Sequence, residues 1–219
     1  LSNDGTEVEF VGARKEFYHR ESRNPIVENG TLKDDMGRRD LTINDMAICL
    51  NKDKFGDFID PYNGLDDLRS GIIRCVGNPE DRYSEDPLRM LRTIRFSSRF
   101  GFKIDETTFS AICKMHERIK IITKERILDE LNKMILSKNP DTAFELLSES
   151  GLLEIIFPTL YKTRGRECKN GKYHKDVFAH SLKVLKNVSE VSDKLYLRWV
   201  ALLHDIGKPK VKEFKDGNW

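Results

Sequence analysis

The stretch SEDPLRMLRTIRF, Ser84 to Phe96, sets Asp86 three residues ahead of Arg89, with Arg92 and Arg95 following at the same interval. Residues three apart on a helix share a face. A carboxylate offers two acceptor oxygens, and a guanidinium offers parallel donors in a fixed plane. Cytosine and adenine each carry an exocyclic amino donor beside a ring-nitrogen acceptor, so Asp86 can take the amino proton while Arg89 donates to the ring. Guanine and uracil put a ring N–H at that acceptor position, which sets donor against donor. Such a pair would select C and A with no template strand, each bidentate contact being worth roughly 1–3 kcal/mol of discrimination. Arg92 and Arg95 would then meet the phosphates of the same nucleotide. The same residues also support a purely structural reading. Asp86-Pro87 would start a helix, Leu88, Leu91 and Ile94 would be its buried stripe, and the arginines would be a solvated face.

A second constellation lies near the other end. FAHSLKVLKN carries His180, and ALLHDIGKP carries the adjacent His204 and Asp205, 24 residues after His180. Two imidazoles and a carboxylate suit one or two transition metals or magnesium, which activate water for phosphoester hydrolysis. Both segments are apolar-patterned helices, so helix caps and core histidines are the competing reading. His174 is either an accessory ligand or a loop residue.

Composition bounds what surrounds these groups. The chain has 219 residues, with 38 Lys+Arg against 36 Asp+Glu and a net charge of +2, so nucleic-acid binding must come from local patches. A hydrophobic fraction of 38% beside 34% charged residues fits a helical, soluble domain and not a disordered one. No apolar run is long enough to span a bilayer, and the first residues are polar, unlike a secretory signal. Cys49, Cys75, Cys113 and Cys168 are widely spaced, as reduced thiols are, and the expected compartment is the cytoplasm.

The elements that must hold the two constellations follow from periodicity. TEVEFVGAR alternates at period two and predicts a half-buried strand over Thr6–Arg14. NPIVENGTLKDDMG is turn-rich, TINDMAICLN is apolar in a helix or strand pattern, and FGDFIDPYNG is a turn. Helices are expected near 65–70, 85–99, 105–116, 124–136, 140–149, 176–190 and 194–205. Breaks fall at Gly101, Asn139-Pro140, Gly151 and the basic stretch TRGRECKNGKYHK. The fold class expected is α+β, the tail of a small α/β domain followed by a helical array.

Five segments in order carry a family resemblance. GRRDLTINDMA resembles the RRDxTxNxMA signature of class II tRNA nucleotidyltransferases and bacterial poly(A) polymerases. DPYNGLDDLRSGIIRCVGNP is similar to their DxxxGxxDLxxGxIRxVGxP segment, and SEDPLRMLRTIRFSSRFGFKID to their EDPLRMLRxxRFxxxxGFxI block. TKERILDELNKMI and SGLLEIIFPTL resemble the helices that follow. The HSLKVL and LLHDIGK segments resemble the first ligands of the HD phosphohydrolase superfamily. The resemblance implies a partial nucleotidyltransferase head, or palm, over 1–64, and a neck with the nucleotide-selecting helix over 65–137. A body and the N-terminal part of an HD domain would occupy 138–219. It implies that Asp86 and Arg89 read the base of CTP or ATP, that Arg39, Arg92 and Arg95 hold the rest of the nucleotide, that Asp40 lies near the ribose, and that Asn44 braces its turn. Glu9, in the strand ending at Arg14, matches a catalytic carboxylate for Mg2+, while His180, His204 and Asp205 would bind a divalent metal. The implied partners are tRNA, ATP and CTP. A-only addition, poly(A) synthesis and HD phosphohydrolysis remain alternatives. The family's glycine-rich turn and DxD do not occur in these residues, so this chain alone is expected not to add nucleotides. Asp45 stands where the family has a small Ala, and would either crowd the pocket or face solvent. The stretch KMHERIKIITKER, Lys114 to Arg126, is a candidate RNA surface or a solvated face.

Overall fold

A computed structural model describes residues 8–17, 26–165, 168–169, 172–173 and 176–211. The N-terminal part pairs strand β1 (Arg14–Phe17) with β2 (Ile26–Asn29), antiparallel, Arg14 opposite Asn29. Helix α1 (Leu32–Gly37) follows, then a tight 3-10 turn at Thr42–Asn44, and a short antiparallel pair of β3 (Ala47–Ile48) and β4 (Phe58–Ile59). Helix α2 (Gly64–Ser70), β5 (Ile72–Ile73), α3 (Pro79–Glu85), α4 (Leu88–Phe100) and β6 (Lys103–Ile104) complete the region around the Asp86 motif. Next come α5 (Glu106–Met115), a 3-10 stretch at His116–Ile121, α6 (Lys124–Ile135), α7 (Pro140–Glu149), α8 (Leu152–Ile156) and α9 (Pro158–Tyr161). A short hairpin, β7 (Cys168–Lys169) and β8 (Lys172–Tyr173), precedes α10 (Val177–Val191), α11 (Leu195–Leu203) and α12 (Lys208–Val211).

The α+β class and six of the seven expected helices agree with the periodicity to within about two residues, the scatter normal for helix ends. The seventh is different: the helix expected at 85–99 starts at Leu88, and α3 is a separate helix before it. Asp86 and Pro87 divide the two, because the residue before proline is pushed out of the helical region and Asp86 sits at φ −137°, ψ 101°. Asp86 still helps to start α4, its Oδ1 accepting from the Leu88 amide at 3.1 Å. The strand expected over 6–14 does not form at 8–13, where the chain has no strand assignment, only the Ala13 carbonyl accepting from the Gly30 amide beside β1, and the Phe10 side chain is 93% exposed. Alternation needs a partner strand and a surface to bury against, and the described residues provide neither there. Glu7, part of the same expectation, lies outside the described residues, as does His174. Turn-rich NPIVENGTLKDDMG holds β2 and α1 instead. The missed signal is Thr31, whose hydroxyl caps Asp34 while Asp34 bonds back to the Thr31 amide.

Two hydrophobic clusters place the site. The larger runs from Tyr83 to Leu202 and joins α4 to α6, α7, α10 and α11. Leu88, Leu91 and Ile94 face it, as their stripe requires. The smaller contains Leu41, Ile43 and Ile73, with Phe96 and Phe102 packed on it. Parallel pairing of β5 with β6 and the Leu41–Cys75 bridge tie the RRD turn to the same region. Buried Arg198 closes two helix ends, donating to the carbonyls of Ile135 and Ser137 and to those of Ser189 and Ser192.

The DxxxGxxDL residues are scaffolding for that turn. Both Asp60 oxygens accept from the first amides of α2, at 2.7 and 2.9 Å. Asp67 accepts from the Thr42 hydroxyl at 2.7 Å and pairs with Arg74, which reaches Asp105. Gly64 lets α2 touch the turn, since a Cβ there would lie 2.2 Å from the Thr42 carbonyl oxygen. Gly64→Ala is therefore expected to cost about 1–3 kcal/mol, the scale of overpacking, read by urea unfolding. Unchanged stability would mean that α2 does not abut the turn.

Candidate functional site

The first turns of α4 and the RRD turn face each other across a cavity of about 780 Å³, within the usual range for small-molecule sites. Its lining includes Arg14, Glu16, Arg38, Arg39, Asp40, Asn44, Asp86, Leu88, Arg89, Arg92, Phe96 and Arg126. Six arginines and three carboxylates line it, and Asp35 and Glu85 behind the lining pair with several of these arginines.

Asp86 and Arg89 both line the cavity, although Asp86 is extended and precedes α4 and so does not share a helix face with Arg89. Each also has a partner. Asp86 Oδ2 lies 3.2 Å from an Arg126 guanidinium nitrogen. Arg89, 8% exposed, donates to Glu85 at 2.8 Å and to the Arg38 carbonyl at 2.8 Å. Its position is thus set by contacts from α3 and from the end of α1 before any ligand arrives. Burial raises the Glu85 carboxyl above its ordinary range, against the pull of Arg82 and Arg89.

Arg92 crosses to the RRD turn, its Nε donating to Asp40 Oδ2 at 2.6 Å. Burial works to lower the Arg92 pKa, but the charge of Asp40 and its hydrogen bond carry it upward. The other Asp40 oxygen accepts from the Leu41 amide at 3.0 Å and from Asn44 Nδ2 at 3.4 Å, so Asn44 does brace this turn. Arg39 donates to Asp35 Oδ2 at 3.1 Å and to the Asn44 carbonyl at 3.0 Å. Burial works to raise the Asp35 pKa, yet bonds from Arg38 and Arg39 bring it below the ordinary value.

Arg95 is not part of this lining. Its Nε lies 2.9 Å from Glu130 of α6, close enough for an ion pair though neither atom is aligned for a hydrogen bond, and its guanidinium stacks 4.5 Å from the Phe96 ring centre. Asp45 neither crowds the cavity nor faces solvent: it is 0% exposed, with neither oxygen hydrogen-bonded. Glu9 is exposed and stands apart from the cavity lining. Sequence reasoning missed Glu85 and Arg126 as members of the site. Arg126 lay in plain view in TKERILDEL, inside the candidate RNA surface, and that surface is not one helix but the end of α5, the 3-10 stretch and the start of α6.

At the other end, ligand atoms of His180, His204 and Asp205 all lie within 4.8 Å of one another. His204 Nε2 is 3.3 Å and His180 Nε2 3.8 Å from Asp205 Oδ2. His204 Nδ1 faces the Ala201 carbonyl at 2.9 Å, a contact that places the ring proton there and leaves Nε2 free to ligate. Asp176 starts α10, accepting from the Ala179 amide at 2.9 Å, and so orients His180. Lys208 Nζ sits 2.6 Å from Asp205, and its hydrogen bond, with the neighbouring imidazoles, lowers the Asp205 pKa. The donor set fits a divalent metal, with Lys208 in competition for the carboxylate.

Three protein families match successive parts of the chain. Residues 1–74 match the poly A polymerase head domain family, residues 101–163 the probable RNA and SrmB-binding site of polymerase A, and residues 177–217 the HD domain. The chain is 38% identical over 184 residues to a multifunctional CCA protein of Neisseria gonorrhoeae, covering 82% of this chain and 43% of that protein. It is 39% identical over 191 residues to a CCA-adding enzyme of Ligilactobacillus salivarius, covering 86% and 42%. The chain thus spans about two fifths of the length of these curated relatives. Among solved structures, an apo CCA-adding enzyme superposes with a TM-score of 0.67 at 28% identity, over 95% of this chain and 46% of that one. A tRNA nucleotidyltransferase complexed with a primer tRNA and an incoming ATP analog gives 0.62 at 25% identity, over 86% and 53%. Among the described residues no helix is long and apolar enough to cross a membrane.

Proposed function

The chain belongs to the family of poly(A) polymerases and CCA-adding nucleotidyltransferases, and on that premise we propose that it selects CTP and ATP for addition to the 3′ end of tRNA in the cytoplasm. The observation that carries this reading is the arginine-rich cavity with Asp86 and Arg89 on one wall and Arg39 and Asp40 on the other. The base stacks at the α4 end, where Phe96 and Leu88 are apolar and Asp86 accepts from an amino group while Arg89 donates to the ring nitrogen. Arg39, Arg38 and Arg14 take the phosphates. Asp40 stands where it can accept from ribose hydroxyls, held by Asn44 and Arg92. Arg95 orders α4 against α6 through Glu130, in place of the phosphate contact expected for it. The two arms of the expected domain plan, head over 1–64 and neck over 65–137, then supply one wall each.

A polymerase site of this class uses Mg2+ held by carboxylates. Glu9 is exposed and belongs to no convergent ligand group among the described residues, where that group is the HD cluster. The described residues do not form a magnesium site at Glu9, and no step of nucleotide addition is derived through one. Titration of the chain with CTP, ATP, UTP and GTP by calorimetry tests the reading. CTP and ATP should bind more tightly than UTP and GTP; equal affinity for UTP and CTP would sink it.

The HD cluster supports a second activity on a separate site. We read His180, His204 and Asp205 as ligands of a divalent metal, which supplies an activated water for phosphoester hydrolysis when bound. The chain's own part is to keep His204 in one tautomer through Ala201 and to hold Asp205 charged beside Lys208. His204→Ala should weaken Mn2+ binding by at least about tenfold, and Lys208→Ala should strengthen it by freeing Asp205. Equal Mn2+ affinity in all three proteins would show that the three side chains do not ligate.

A further inference from the structure

We propose that Asp45 is a positioning residue for Arg39, its proton setting how much positive charge Arg39 presents to the phosphates of a bound nucleotide. The inference rests on the reading of the cavity as a nucleotide site.

Asp45 follows the RRD turn and is completely buried, with neither carboxylate oxygen hydrogen-bonded. Its nearest cation is Arg39, whose Nε lies 3.5 Å from Asp45 Oδ1. That distance and the absence of a hydrogen bond describe a Coulombic contact, not a fixed pair. The other donors of Arg39 go to Asp35 of α1 and to the Asn44 carbonyl, while its side chain remains 42% exposed at the cavity. The charged groups that act on Asp45 are Arg39 and three carboxylates: Asp35 of α1, Asp40 of the RRD turn, and Asp60 at the start of α2. Burial and these three like charges oppose ionisation, and among the described residues Arg39 is the main group that favours it.

Two states follow. With Asp45 neutral, Arg39 is balanced by Asp35, which Arg38 also shares, and the guanidinium keeps a net positive field toward the cavity. With Asp45 ionised, a second carboxylate acts on Arg39 beside the Asp35 that Arg38 shares, and the field that a phosphate meets is reduced. A phosphate arriving at Arg39 adds negative charge nearby, so it favours the neutral state of Asp45. Nucleotide binding is then coupled to uptake of one proton from buffer onto Asp45, and by reciprocity pH controls affinity. Burial, outweighing the pull of Arg39, pushes the Asp45 carboxyl up to about 7, where the coupling is felt under ordinary conditions. The sign for stability is the reverse of the usual carboxylate: the folded value lies above the unfolded one, so stability is full in acid and declines as pH rises through about 7.

The test compares the wild-type chain with Asp45→Asn, which copies the shape of the neutral acid, and with Asp45→Ala. ATP and CTP affinities are measured at about pH 5.5 and about pH 8.5, and proton uptake is read near neutrality in buffers of different ionisation enthalpy. The affinity of Asp45→Asn relative to wild type should be near one in acid and rise to roughly fivefold in base, the low end of measured coupling between linked sites. Taking the ratio cancels the ligand's own titration. Wild type should take up more protons per nucleotide than either variant. Binding by all three proteins with a ratio independent of pH overturns the proposal and leaves the nucleotide reading standing. Absence of any nucleotide binding fails the cavity reading instead. In that case the Arg39 Nε–H resonance decides. It should move with pH through the Asp45 transition in wild type and stay still in Asp45→Asn, whereas identical behaviour in both overturns the proposal.

Discussion

Arg89→Leu is expected to lower stability by about 2–3 kcal/mol and to abolish binding of ATP and CTP, because it removes one of the two guanidiniums paired with part-buried Glu85, leaving Arg82 alone, and takes a donor from the Arg38 carbonyl. The loss is that large for two reasons. Arg89 is 8% exposed, and its donors hold Glu85 of α3, the Arg82 carbonyl and the Arg38 carbonyl together. Removing it loosens α4 from the preceding helix and from the end of α1, and leaves the Arg92–Asp40 pair to hold α4 to the RRD turn. Set against a total stability on the order of 5–15 kcal/mol, such a change brings the chain near the folding threshold. Urea unfolding reads it directly, and the double variant Glu85→Gln/Arg89→Leu should recover part of the loss by removing the charge left with Arg82 alone. A single-variant cost under about 1 kcal/mol would show that Arg82 and water suffice for Glu85 without Arg89.

Asp86→Ala separates recognition from folding. The carboxylate caps α4 through the Leu88 amide and pairs with a half-exposed Arg126, so its structural worth is about 1 kcal/mol. Its worth in base choice is larger, a loss of roughly tenfold to a hundredfold in preference for CTP over UTP. Affinities for the four ribonucleoside triphosphates measure it. Arg126→Ala is the control: it frees Asp86 without removing the acceptor, so preference for C and A should survive. If Asp86→Ala instead weakened all four triphosphates by the same factor, Asp86 would be a phosphate-side or structural residue and the base-reading geometry would be wrong.

Much of the fold was legible because its signals are local. Asn139-Pro140, Gly101 with its positive φ, and the Asp176 cap mark helix ends that periodicity alone would blur. The stripe of Leu88, Leu91 and Ile94 pointed inward as drawn. What failed was equally local in cause. The six residues of α1 are too few to show a period, and only the Thr31–Asp34 box announces them. The alternation of VEFV was real, but a strand exists only where another strand accepts its hydrogen bonds.

The sequence by itself determined that Asp86 and Arg89 stand close together, that His204 and Asp205 adjoin on a helix end, and which family's motifs surround them, since short spacing along the chain decides all of these; that Asp86 and Arg89 line one cavity although Asp86 is extended and precedes α4 was decided by the fold. The sequence could not decide how far the face carrying Arg89 extends. Steps of three residues advance each side chain by about 60° less than a full turn, so Arg95 has swung roughly 120° from Arg89, away from the cavity and onto Glu130. Nor could it place Asp40 against Arg92, fifty-two residues away, or bring Arg126 to Asp86. The burial of Asp45 is the sharpest case: a polar residue after a turn reads as solvated, and only the packing of α1, the RRD turn and the loop before α2 around it removes the water that would have kept it an ordinary acid.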